Sequence, residues 1–184
     1  VMKMSKFLGT RAKQEPYVYG EQPKDKKYIK INTNENPYGP SPKAMELLEN
    51  IDWDRLKLYS DPQSTEITNA LAQFYGVDRD KVYVGNSSDE VLSFAWLAFF
   101  DRVDKVVYPD ITYSFYTVFS KLYDVEECIV PLKEDFTMDL DKMSSIDAKG
   151  IVITNPNAPT GIALTLEEIE AFLIKNSEKL VIVD

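Results

Sequence analysis

The sequence has 184 residues, 44 % of them apolar and 28 % charged, proportions that allow a globular domain with a sizeable core. A formal net charge of -9 works against a nucleic-acid groove or an anionic membrane surface as partner. One cysteine and no histidine exclude a disulfide framework, the usual zinc and copper sites and every histidine-based triad, so no metal is expected.

The amino terminus, "VMKMSKFLGTRAKQEP", has no apolar leader core, and no apolar run approaches the ~18 residues of a membrane span, so a cytoplasmic location is expected. Residues 1–40 carry several prolines, many charges and one short alternating run, Tyr28-Ile29-Lys30-Ile31, and read as an arm with one strand. From Ser41 the chain becomes periodic. "SPKAMELLEN" opens a helix with a serine cap and proline at the first helical position. "STEITNALAQFYG" puts Ile67, Leu71 and Phe74 on one helical face and stops at Gly76. "KVYVG" reads as a strand, and "SSDEVLSFAWLAFF" as a helix that its serines can cap.

The strand "DKVVYP", the helix "YSFYTVFSKLY" and the strand "EECIVPL" follow, the last holding Cys128 as a core thiol. A capped stretch, "DLDKMSSI", then leads to the strand "KGIVITN". A capping box, Thr165 to Glu168, opens the next helix, and "KLVIVD" is a fifth strand. Short β-branched strands alternating with helices predict an α/β fold, a three-layer α/β/α arrangement with a mostly parallel central sheet.

Ligands of such sheets bind beyond the carboxyl ends of the strands, so the residues just after each strand carry the functional information. "GNSSDE" at a helix start offers free backbone N–H groups and hydroxyls that suit a phosphate, or a plain serine cap. Tyr113 can stack on a planar ligand or sit in the core. Asp184, ending an apolar strand, is either solvated at the sheet edge or paired with a cation. "NPNAPTG" supplies an amide donor and two X–Pro bonds that permit a cis peptide. A phosphorylated aromatic heterocycle with a basic ring nitrogen fits all four features, and pyridoxal 5′-phosphate is such a molecule.

On "INTNENPYGPSP", "LYSDPQS", "VGNSSDEVL", "YPDITYSFY", "NPNAPTG" and "VIVD", in this order, the sequence resembles the fold-type-I pyridoxal-phosphate aminotransferases, and within them the histidinol-phosphate aminotransferases. The resemblance implies transamination between histidinol phosphate and 2-oxoglutarate, giving imidazole acetol phosphate and glutamate, in histidine biosynthesis. An aromatic amino-acid aminotransferase or a threonine-phosphate decarboxylase of the same branch is the alternative. A non-catalytic binding fragment is a third reading, of a different class.

The resemblance also implies residue roles. Ser87, Ser88 and Asp89 would hold the cofactor phosphate, Tyr113 would stack on the pyridine ring, and Asp184 would pair with the ring nitrogen; of these, Asp184 and Tyr113 are the catalytic candidates. Tyr59 would reach the cofactor phosphate of the neighbouring subunit in a homodimer with shared active sites. Tyr17 would lie near the substrate phosphate across that interface, and Asn34 near the substrate carboxylate or amine. Residues 1–40 would belong to a small domain and the dimer contact, and residues 41–184 to the large, cofactor-binding domain.

Ser87 stands where family members with "GNGSDE" have glycine. Ala158 stands where many have an asparagine directly before "PTG", which makes Asn157 the candidate donor to the cofactor. No lysine has the family's serine-x-x-lysine context. The Schiff-base lysine is therefore expected beyond Asp184, with this chain as the amino-terminal half of such an enzyme.

Overall fold

A computed structural model describes residues 9, 20–26 and 28–184, so Tyr17 lies outside the described residues. Among the described residues, 20–84 fall in one compact unit, taken first, and 85–184 in another.

The described part of the first unit, up to Val84, is built on two helices. α1 spans Pro42–Glu49, where Ser41 Oγ accepts from Ala44 N at 3.3 Å and Pro42 occupies the first turn. α2 spans Thr65–Tyr75 and ends at Gly76, whose φ of 66° is a left-handed cap. The amides that start α2 are held by Asp61, whose carboxylate accepts from Gln63 N at 3.0 Å and Thr65 N at 2.7 Å. The Thr65 side chain, then these two amides, hold the Asp61 carboxyl below its ordinary range by hydrogen bonding. Of the apolar stripe read on α2, Leu71 is half-buried while Ile67 and Phe74 are exposed, and the helix buries Thr68 and Ala72 instead. Thr68 tolerates burial because its hydroxyl donates to Ser64 O at 2.9 Å.

Two expected strands do not form here. Residues 28–31 are irregular, with Ile29 and Ile31 almost fully exposed. Val82 is extended after a 3₁₀ turn at Arg79–Lys81, but residues 82–85 join no ladder among the described residues. Alternating apolar residues supply the local preference for a strand; a neighbouring backbone must supply its hydrogen bonds.

The second unit carries the sheet. Its strands are β1 (Lys105–Pro109), β2 (Glu126–Val130), β3 (Gly150–Ile153) and β4 (Leu180–Val183), all parallel, in the order β2-β1-β3-β4. Its helices are α3 (Ser87–Phe99), α4 (Phe115–Tyr123), α5 (Leu140–Ser145) and α6 (Leu166–Lys175). Successive strand residues point to opposite faces and sort the core into two clusters. Val106, Tyr108 and Val152 meet Leu92 and Trp96 of α3, Phe100 just after it, and Tyr116 and Phe119 of α4. Val107, Ile151 and Ile153 meet Met143 of α5 and Phe172 of α6. Helices thus cover both faces, which is the three-layer α/β/α arrangement. Cys128 is half-buried against the second cluster, and burial raises its thiol pKa.

The capping box of α6 forms as read, with Thr165 Oγ1 accepting from Glu168 N at 3.2 Å and Glu168 Oε2 accepting from Thr165 N at 2.8 Å. α3 starts differently from the reading. Its cap is Asn86, which makes no side-chain cap bond, and the serines already lie within the first turn. No helix among the described residues is long and apolar enough to cross a membrane.

The strand order also fixes where a ligand can enter. From β1 the chain crosses by α4 to β2 on one side, then returns past β1 by α5 to β3 on the other. Because right-handed crossovers in opposite directions put their helices on opposite faces, a crevice opens between the carboxyl ends of β1 and β3.

Candidate active site

The crevice is lined from the strand ends. After β1 come Ile111, Thr112 and Tyr113; after β3 comes Thr154; after β4 comes Asp184. Thr112 and Thr154 meet across the switch point, their hydroxyl oxygens 2.9 Å apart. Tyr116 follows Tyr113 by one helical turn, and its hydroxyl donates to Asp184 Oδ2 at 2.6 Å. Tyr116 is fully buried between Trp96, at a ring distance of 5.9 Å, and the edge of Tyr113, at 5.6 Å. Burial, then the hydrogen bond to Asp184, drives its phenol far above the usual tyrosine pKa. Tyr116 therefore stays a neutral donor at any physiological pH.

Tyr113 ties this cluster to α3. Its hydroxyl donates to Asp89 Oδ1 at 2.6 Å, and its ring stacks on Phe115 at 5.7 Å. Asp89 lies in the first turn of α3, whose leading N–H groups have no intrahelical acceptor. Glu90 Oε2 takes the N–H of Asn86 at 2.6 Å. Ser87 and Ser88 are exposed at this helix start, and Ser87 has φ 73°, a left-handed conformation in an L-residue. An uncapped helix start with exposed hydroxyls suits a phosphate, and a carboxylate at a strand end suits a protonated ring nitrogen. The residues present therefore fit pyridoxal phosphate: α3 for its phosphate, Asp184 for its ring nitrogen.

The "NPNAPTG" loop is held from within. Asn155 Oδ1 accepts from Leu164 N at 2.7 Å, and Asn155 N donates to Asp184 O at 2.8 Å. Both X–Pro bonds, Asn155-Pro156 and Ala158-Pro159, are cis. Gly161, at φ 74°, closes the turn by donating its N–H to Asn157 O at 2.7 Å. Asn157 is buried. Its Nδ2 donates to Ile111 O at 2.9 Å and Thr160 Oγ1 at 3.3 Å, and its Oδ1 accepts from Thr112 at 2.8 Å.

Among the residues read from the sequence, the fold ties together Tyr113 with Asp89 and, through Tyr116, Thr154 and Thr112, Asp184 with Asn157. Tyr59 and Asn34 belong to the other unit: Tyr59 is fully exposed after the 3₁₀ turn Trp53–Lys57, and Asn34 sits at φ 53° on an exposed turn. Sequence reasoning missed Tyr116, Thr154 and the role of Thr112. Helical spacing from Tyr113 was the available signal for Tyr116, and position directly after a strand for Thr154.

A parallel α/β sheet with a helix start and a strand-end carboxylate beside its switch point is the architecture of a ligand-binding α/β domain. Residues 26–184 match the family described as aminotransferase class I and II, and the chain belongs to that family. It is 49 % identical over 182 residues to the histidinol-phosphate aminotransferase of Brachyspira hyodysenteriae, covering 98 % of this chain and 51 % of that protein. It is 50 % identical to the protein of the same name from a Marinomonas species, with 98 % and 52 % covered. The chain thus spans about half the length of these curated relatives. Its fold is that of the histidinol-phosphate aminotransferase of Sinorhizobium meliloti solved with pyridoxal 5′-phosphate, at a TM-score of 0.76 and 22 % identity over 83 % of this chain and 42 % of that one. The Clostridium acetobutylicum histidinol-phosphate aminotransferase gives 0.71 and 22 %, over 83 % and 45 %.

Proposed function

We propose that this chain is the amino-terminal, cofactor-binding part of a pyridoxal-phosphate-dependent histidinol-phosphate aminotransferase. One observation carries the reading. Tyr113 and Tyr116, one turn apart, bond to Asp89 at a helix start and to Asp184 at a strand end, so an aromatic platform joins an anion-binding and a cation-binding terminus. The names of relatives at about half identity over nearly the whole chain support the substrate.

Each residue then has a task. The first-turn amides of α3 with Ser87 and Ser88 bind the cofactor phosphate, Tyr113 covers the ring, and Asp184 holds a proton at the ring nitrogen. When bound, pyridoxal phosphate supplies an electron sink for the pair released at the substrate's α carbon. Tyr17, Asn34 and Tyr59 are assigned to substrate and to the cofactor of a second subunit, in a homodimer. Residues 1–40 are assigned to the small domain and its dimer contact, residues 41–184 to the large domain, and the location is cytoplasmic.

The test is amino transfer by the full-length protein, following 2-oxoglutarate formed from glutamate with imidazole acetol phosphate as acceptor. Transfer to phenylpyruvate alone would replace the substrate with an aromatic one. Phosphothreonine decarboxylation without transfer would replace the reaction.

A further inference from the structure

The first turn of α3 carries two acids beside an anion-suited helix start, and the fold gives both of them to other donors. Glu90 Oε2 accepts from Asn86 N at 2.6 Å. Asp89, the third residue of the helix, accepts at Oδ1 from the Tyr113 hydroxyl at 2.6 Å. A carboxylate and a phosphate are both acceptors and both negative, so an ionised Asp89 side chain cannot hydrogen-bond a phosphate and repels it. The donors that suit an anion here are the leading N–H groups and the exposed hydroxyls of Ser87 and Ser88. Whatever Asp89 gives a phosphate therefore comes from its backbone.

At the other end of this bond, the Tyr113 ring stacks on Phe115, with centroids 5.7 Å apart and planes 16° from parallel. It also meets Tyr116 edge to face, at 5.6 Å and 82°. Both contacts come from residues within three positions along the chain and hold the ring from its own helix start. The hydroxyl is at the far tip of the ring and is tied to a different helix, 24 residues away in sequence. A tether at the tip removes the swing that the side-chain torsions otherwise allow. A phenol donating to a carboxylate is also a charge-assisted bond, among the stronger kinds a tyrosine can make.

We propose that Asp89 is a positioning residue: its side chain braces the Tyr113 ring and leaves the phosphate to the neighbouring amides and serines. This rests on the reading of Tyr113 as the cover of the cofactor's ring. The brace exists without a ligand, so the ring is set in place before anything binds, and binding need not order it. The charge of Asp89 gives this role a signature of opposite signs. Removing the carboxylate frees the ring, which weakens binding of the whole cofactor. The same change takes a negative charge away from the anion site, which strengthens binding of phosphate alone. A side chain that held the phosphate directly would weaken both.

The experiment uses the full-length protein and two probes, pyridoxal 5′-phosphate and inorganic phosphate. Dissociation constants for both, the induced circular dichroism of the bound cofactor and the apoprotein's melting temperature are measured for wild type, Tyr113→Phe, Asp89→Ala, Asp89→Asn and the double variant Tyr113→Phe with Asp89→Ala. Loss of a hydrogen bond to a charged group is expected to weaken cofactor binding about tenfold in Tyr113→Phe and in Asp89→Ala, and to change the dichroism in both. The melting temperature of Tyr113→Phe should change little, since the ring packing is kept. Asp89→Asn, which keeps an acceptor for the phenol, should lie between Asp89→Ala and wild type. The double variant should bind the cofactor no more weakly than the weaker single one, because both changes remove the same bond. Inorganic phosphate should bind Asp89→Ala more tightly than wild type. Wild-type cofactor affinity and dichroism in Tyr113→Phe would overturn the brace. Losses that multiply in the double variant, or weaker phosphate binding in Asp89→Ala, would show Asp89 acting on the cofactor itself and overturn the assignment. A wild-type protein that takes up no cofactor would instead defeat the functional reading beneath it.

Discussion

Ser87 lies at the start of α3 with φ 73°, where an L-residue pays for crowding between its Cβ and the following carbonyl. That cost is roughly 1–2 kcal/mol. Glycine removes it, but returns about 0.4–1 kcal/mol as extra freedom of the unfolded chain. Ser87→Gly is therefore expected to stabilise the protein by about 0.5–1 kcal/mol. Ser87→Ala keeps the strained backbone and loses only an exposed hydroxyl, so its stability should match wild type. Ser87→Val should fall below both, since a β-branched side chain adds crowding at positive φ.

Urea unfolding of the apo full-length protein, read as a midpoint at constant slope, gives the order Gly above Ser and Ala, and Ala above Val. Cofactor affinity should sort the same variants differently. If the Ser87 hydroxyl donates to the phosphate, Gly and Ala both bind more weakly than Ser, although Gly is the most stable of the set. A glycine variant no more stable than wild type would refute the strain argument. Equal affinity across the series would remove the hydroxyl from the phosphate site.

A Cβ on Gly150 would press into the buried Phe100 ring, 2.7 Å from its Cε1, so Gly150→Ala should cost about 1–3 kcal/mol in a denaturation curve, and Phe100→Leu should recover part of it. Simple additivity of the two changes would contradict this packing. Asp104 accepts from Asp101 N at 2.7 Å and from Lys149 Nζ at 2.7 Å, and both bonds hold its pKa below the ordinary Asp value of 3.8. A depressed carboxylate stabilises the fold fully above its unfolded value and loses that contribution as pH falls through the lower folded value. The stability gap between wild type and Asp104→Asn should therefore be present at neutral pH and close below pH 3.8; a gap that stays constant to pH 2 would contradict the assignment. Asp184→Asn should cut turnover by orders of magnitude while the cofactor still binds, because a neutral amide cannot hold the ring nitrogen protonated. Near-normal kcat in that variant would remove Asp184 from its role.

Local chemistry was enough to read much of this protein. Ser41 with Pro42, the Thr165–Glu168 box and Gly76 mark helix ends because each satisfies backbone groups within a few residues. The apolar runs of β1 and β3, set between helices, were legible as the centre of a parallel sheet because strands buried on both faces read as near-continuous apolar runs. Asp184 and Tyr113 were found by their position after strands. Tertiary structure decided what depends on distant neighbours. Residues 82–85 carry a strand's pattern and no ladder among the described residues, since pairing needs a second backbone that local sequence cannot specify. Tyr116 reads as one more core aromatic until the fold brings Asp184, 68 residues away, to its hydroxyl. The line from Asp184 to Asn157 exists only because parallel crossovers set the ends of β1, β3 and β4 side by side.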